Sequence, residues 1–175
     1  MLCVATLLFV SAIDGSGAPK PTEYDVKAAY LFNFGKFVKW PAANDTHDNF
    51  PICVLGQDHF GQALDKTVAG EKINRLPVTV RRVMSADEAT GCRVVFVDGS
   101  EERRLTTVLP ILNRAGVLTV SDMAGFVDRG GMIQFQLVDD RVRFEVNLDA
   151  AEHAGLSLSS DLLKVATKVR RGGAS

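Results

Sequence analysis

Apolar and polar residues change rhythm along this chain, and each rhythm predicts a different kind of element. From Thr22 to Trp40, Val26, Tyr30, Phe34, Phe37 and Val38 recur at helical spacing, which predicts one helix with a broad buried stripe. Thr22 and Asp25 have the spacing of a capping box at its start, and Pro41 ends it by disfavouring helical geometry in the residue before. At about 100° per residue, Phe32 falls away from the stripe and beside Lys36 and Lys39, so an exposed aromatic is expected there.

Four apolar runs follow, Ile52 to Leu55, Val78 to Val83, Arg93 to Val97 and Val117 to Val120, with little alternation outside the second. Strands buried on both faces have this pattern. Helical candidates at Gly61 to Val68, Ser85 to Gly91 and Glu101 to Asn113 lie between them, giving the alternation of a parallel sheet with crossovers. Met132 to Val138 and Arg141 to Asn147 then alternate strictly around Asp139-Asp140, which predicts an antiparallel hairpin. Ile133, Phe135, Leu137, Val142, Phe144 and Val146 should face the core, leaving Gln134, Gln136, Arg143 and Glu145 on an open polar face. Leu148 to Ala154 reads as a short helix closed by Gly155, and Ser159 or Ser160 caps a last helix with Leu162, Leu163, Ala166 and Val169 inward. The expected fold is a single α/β domain over residues 22–170. It has a mostly parallel sheet, flanking helices and a C-terminal antiparallel hairpin, in a Rossmann-like three-layer arrangement.

Composition supports a globular domain, with 175 residues, 46% hydrophobic and 23% charged. Twenty basic residues against twenty-one acidic ones leave no long-range field for nucleic acid or an anionic membrane surface. The basic cluster of Lys168, Arg170 and Arg171 reads as the cationic end of the last helix.

Residues 2–12, LCVATLLFVSA, are too short to span a bilayer and have the length of a signal-peptide core, so residues 1–18 are expected to be removed after Ala12 or Ala18. Only Met1 precedes the run, and a buried N-terminal strand stays open as the other reading. Export would remove Cys3 and leave Cys53 and Cys92 in an oxidising compartment. Both begin β-like runs, so neighbouring parallel strands can bring them within bridging distance. In the chain-entropy picture closing that loop contributes roughly 4 kcal/mol. Two unpaired cysteines in a cytosolic chain are the alternative.

Parallel sheets bind ligands at the carboxyl ends of their strands, here Gly56-Gln57-Asp58, Asp98-Gly99-Ser100 and Ser121-Asp122. A Mg²⁺ phosphoacceptor site built on Asp58, Asp98 and Asp122 would also want a lysine, and no strand end supplies one. Gly56 and Gly61 have the outer spacing of a phosphate loop, but Gln62-Ala63 stands where Lys and Ser or Thr are needed. His47, His59 and His153 lack metal-site spacing, a Cys53-Cys92 bridge would consume the candidate thiol nucleophiles, and no serine sits in a nucleophile elbow. The reading is therefore a non-enzyme without metal or cofactor. Two surface features remain as candidate ligand or partner contacts. One is the hairpin face of Arg143, Gln134, Gln136 and Glu145, where the arginine fork suits a zwitterion or a carboxylate. The other is Phe32, joined by Phe126 in the glycine-rich loop from Met123 to Gly131, as interface aromatics.

Longer strings carry a family resemblance. Tyr24-x-Val26-Lys27-Ala28-Ala29-Tyr30-Leu31-Phe32-Asn33-Phe34, Phe37-Val38-x-Trp40-Pro41 and Ile52-Cys53-Val54-Leu55-Gly56 resemble the opening of YfiR-family proteins. Leu118-Thr119-Val120-Ser121-Asp122, Gly130-Gly131-Met132-Ile133-x-Phe135, Arg143-Phe144-Glu145-Val146-Asn147 and Gly155-Leu156-x-Leu158-Ser159-Ser160-x-Leu162-Leu163 continue the match in order. The resemblance implies a small periplasmic α/β protein, often a homodimer, that represses a membrane-bound diguanylate cyclase through its periplasmic sensor region. It thereby implies a role in cyclic-di-GMP signalling and biofilm control. It also implies that Cys53 and Cys92 match a family disulfide linked to stability and redox response, whereas the second pair of some members, after the fourth strand, has no counterpart here. A periplasmic carrier of a small molecule is the alternative function.

Overall fold

The computed structural model describes residues 20–41 and 48–171; the expected signal segment with Cys3, and His47, lie outside them. In chain order the elements are α1 (Glu23–Phe37), β1 (Val38–Lys39), β2 (Phe50–Leu55), α2 (Gln62–Val68), β3 (Lys72–Ile73), β4 (Leu76–Val83), α3 (Ala86–Ala89) and β5 (Val94–Val97). A 3-10 turn (Gly99–Arg104) leads into α4 (Leu105–Arg114), β6 (Leu118–Ser121), β7 (Ile133–Val138), β8 (Arg141–Asn147), α5 (Leu148–His153), β9 (Ser157–Leu158), α6 (Ser160–Val165) and β10 (Lys168–Arg170).

The four apolar runs lie side by side as parallel strands; β2, β5 and β6 offer a hydrophobic surface on both faces and are buried along their whole length, whereas β4, nearer the edge, is buried only in part. The sheet order is β10-β8-β7-β6-β5-β2-β4-β3, so the chain reverses its travel across the sheet between β2 and β5. Beyond β6, strand β7 adds parallel, β8 returns antiparallel as the predicted hairpin, and β10 closes that edge parallel to β8. Asp139 and Asp140 both take positive φ, 49° and 55°, as a two-residue hairpin turn requires.

Alternation within the strands separates two cores. Ile52, Val54, Val94, Phe96, Leu118 and Val120 point to the α1 side, and Cys53, Leu55, Val95 and Val97 point to α3 and α4. Cys53 and Cys92 form a disulfide on the second side, with Cα atoms 6.1 Å apart, because β2 and β5 are neighbours.

Four expectations need correction. Helix α1 stops at Phe37, before Trp40, since Val38 and Lys39 pair with Leu158 and Ser157 in a small antiparallel sheet of β1 and β9. Phe32 is buried, 7% exposed, and Phe37 is 40% exposed. The flank of α1 that carries Ala28, Phe32 and Gly35 packs toward β2, β3 and α2, and a Cβ on Gly35 would lie 2.6 Å from Ile73. Leu137 is 57% exposed, because β7 outruns β6 and its tip has no layer beneath it. The last helix ends at Val165, and Lys168 to Arg170 form a strand. The open edge of β8 recruits them, Thr167 donating from N and Oγ1 to the Phe144 carbonyl, and extended backbone suits Thr167 and Val169.

Candidate functional site

At the carboxyl edge each strand-end aspartate has its own structural partners. Asp58 accepts from the Phe60 N–H at 2.8 Å and pairs with Arg82 at 2.9 Å. Asp98 accepts from the Ser100 N–H at 2.8 Å and faces His59 at 3.4 Å. Burial pushes the Asp98 pKa up, but the Ser100 hydrogen bonds and the His59 charge more than offset it and hold the carboxyl below its ordinary value. Among the described residues no three His, Cys, Asp or Glu side chains converge as a metal site would need.

Asp122 behaves differently, because helix α1 delivers a lysine to it. Lys27, 3% exposed, donates to Asp122 Oδ2 at 2.5 Å and to Glu23 Oε1, one helical turn back, at 2.5 Å. Tyr24 adds a 3.4 Å hydrogen bond from its hydroxyl to Asp122, and the Lys27 ammonium lies 4.4 Å from its ring centre. Burial lowers the Lys27 pKa, and its hydrogen bonds to Asp122 and Glu23 outweigh that and leave it above the ordinary lysine value. Burial and the Asp122 charge both push the Tyr24 hydroxyl up. The strand ends hold no lysine of their own, so the motif search passed over a cation that the crossing helix provides. The available signals were the Glu23–Lys27 spacing of four and the place of Lys27 one turn before Leu31 and two before Phe34, both of which are buried.

The hairpin residues divide between buried and open positions. Gln134, 6% exposed, accepts from the Val127 N–H at 3.4 Å, and Gln136 donates to Glu145 at 3.0 Å. Glu145, 4% exposed, is also held by Arg170 at 3.2 Å. Arg170 further pairs with Asp128, so this member of the basic cluster ties β10 to the loop and the hairpin and caps no helix. The expected open polar face is therefore covered at its base, and Arg143 alone of the four is exposed. Arg143 lines a separate hollow with Lys20, Val26, Tyr30 and Arg141. Phe126 is fully buried, contrary to its expected exposure: Gly131 folds over its ring so closely that a Cβ there would sit 2.2 Å from it. Neither Phe32 nor Phe126 is accessible as an interface aromatic.

Residues 24–167 match the family described as YfiR/HmsC-like. The chain belongs to the YfiR/HmsC-like family. This YfiR/HmsC-like chain also resembles solved structures. A conserved domain protein of Vibrio cholerae superposes with a TM-score of 0.59 at 11% identity, over 85% of this chain and 60% of that one. The ABC domain of Streptococcus pneumoniae, solved in complex with L-Trp, superposes with a TM-score of 0.55 at 14% identity, over 82% of this chain and 60% of that one. At these identities the likeness is one of fold alone, and the YfiR/HmsC-like chain spans 60% of the length of both structures. The YfiR/HmsC-like family is periplasmic, and among the described residues no helix is long and apolar enough to cross a membrane.

Proposed function

We propose that the chain is a periplasmic regulatory binding protein that holds a membrane signalling protein, such as a diguanylate cyclase, in its repressed state by gripping its periplasmic sensor region. The family match from residue 24 to 167 carries this reading. The chemistry agrees with it: the two cysteines of the domain are joined to each other, and Asp58, Asp98 and Asp122 each serve a cap or an ion pair. Removal of the N-terminal apolar run during export belongs to the same reading, as does assembly into a homodimer. The partner contact in this reading is the hairpin tip, where exposed Arg143 and exposed Leu137 line one hollow.

Affinity capture from a membrane fraction with the oxidised protein tests the reading. An integral-membrane signalling protein with a periplasmic region is the expected catch, and Arg143→Glu should reduce its recovery several-fold. Recovery of no membrane protein by the oxidised chain rejects the repressor reading.

A further inference from the structure

One cavity adjoins that partner contact, with Leu137 in its lining. Where β6 stops at Ser121 and β7 runs on to Val138, a hollow of about 290 Å³ opens, lined by Glu23, Lys27, Asp122, Gln134, Phe135 and Gln136. Its size is at the low end for ligand pockets, which suits a molecule well below drug size. Two of its polar walls, Lys27 and Gln134, are more than nine-tenths buried. Lys27 is held there by Glu23 and Asp122, and Gln134 by the Val127 N–H, so both walls are fixed in place.

The charges select a ligand class. Lys27 meets two carboxylates, Glu23 and Asp122, so this part of the hollow carries an excess negative charge, and Arg170 behind Gln136 is likewise shared between two, Glu145 and Asp128. The second oxygens of Glu23 and Asp122 take no hydrogen bond from the described residues, nor does Gln136 Oε1, whose amide NH₂ is engaged with Glu145. Three acceptors around an excess negative charge suit an ammonium group. The Gln134 oxygen is occupied by the Val127 N–H, which leaves its NH₂ to donate to a neutral acceptor. We propose that this hollow binds a small free primary amine with one positive charge and a hydroxyl group, the amino-alcohol class. An amino acid fits less well, because its carboxylate would bring a further negative charge against Glu23 and Asp122.

Isothermal titration of the folded, oxidised chain with ethanolamine, ethylamine, glycine and acetate tests the assignment. Ethanolamine should give saturable heat, with glycine and acetate at least about tenfold weaker. Glu23→Gln changes a side chain that is 43% exposed, and should weaken ethanolamine by about tenfold without unfolding the protein. Gln134→Leu should lower ethanolamine affinity toward that of ethylamine, which has no hydroxyl to offer. Absence of saturable ethanolamine heat, glycine binding equally well, or an unchanged affinity in Glu23→Gln would each overturn the proposal. The membrane-capture experiment does not depend on the outcome, so the two can fail separately.

Discussion

The two faces of the sheet are held by different physics. On the α1 face the contacts are aromatic: Phe34 stacks on Phe135 at 5.8 Å and meets Phe144 edge-on at 5.0 Å, and Phe60 meets Phe96 edge-on at 4.9 Å. On the α3–α4 face the core is mostly aliphatic, from Leu55, Val95, Val97, Leu105, Leu109 and Leu112, with the Cys53–Cys92 bridge set into it. Aromatic packing stabilises the folded chain by contacts that exist only there. A disulfide acts largely by restricting the unfolded chain. A change of redox state therefore bears on one face and leaves the contacts of the other intact.

The largest effect should come from the aromatic side. Phe34→Ala removes a fully buried ring from the meeting point of α1 and the hairpin, and should cost about 4 kcal/mol in urea unfolding, with or without reductant. If the loss appeared only in reduced protein, the two faces would not be separable. Replacing both Cys53 and Cys92 by Ala should cost about 3 kcal/mol, and that cost should add to the Phe34→Ala loss because the sites share no partner. Non-additivity above about 1 kcal/mol would mean that the sheet transmits strain between its faces and behaves as one core.

A smaller effect sharpens the picture at the carboxyl edge. Asp98 has a folded pKa below its ordinary value, so its contribution is present above about pH 4 and is lost as pH falls through the folded pKa. Asp98→Asn should lower stability by about 1 kcal/mol at pH 7, through the weakened cap of the 3-10 turn and the lost His59 contact, and should flatten the acid limb of a midpoint-against-pH series. An acid limb as steep as that of the parent protein would assign the acid sensitivity to other carboxylates, of which Asp65, held below its usual range by Arg82, is the first to examine.

Most of the strand layout was legible in the sequence, because continuous apolar runs and strict alternation are local signals that the sheet uses directly. Helix α1 was harder to read. Its apolar positions ring most of the circumference, so counting a single stripe placed Phe32 outside and Phe37 inside, the reverse of what is found. Lys36 added to the false impression of a polar side, although its ammonium lies 3.9 Å from the Phe32 ring centre. Phe126 depends on backbone from Gly131, which no periodicity reports. The last strand was read as helix because Leu162, Leu163, Ala166 and Val169 do keep a helical period; the unfilled edge of β8 overrides that local preference. As for the site, the hairpin glutamines and Asp122 were visible separately, and only the fold shows that α1 brings Lys27 between them.

Strand β10 has a consequence for the order in which the molecule is completed. It follows every other described element in the chain, yet it pairs with β8 and, through Arg170, joins Asp128 to Glu145. A chain that emerges N-terminus first, from a ribosome or a translocation pore, can lay down the parallel strands and the hairpin while β8 still has a bare edge. Until residues 168–170 arrive, that edge is open to any other extended segment, including the same strand of another copy. The final stretch thus works as a closing latch, and arrest of the chain shortly before it would yield a nearly finished, adhesive intermediate.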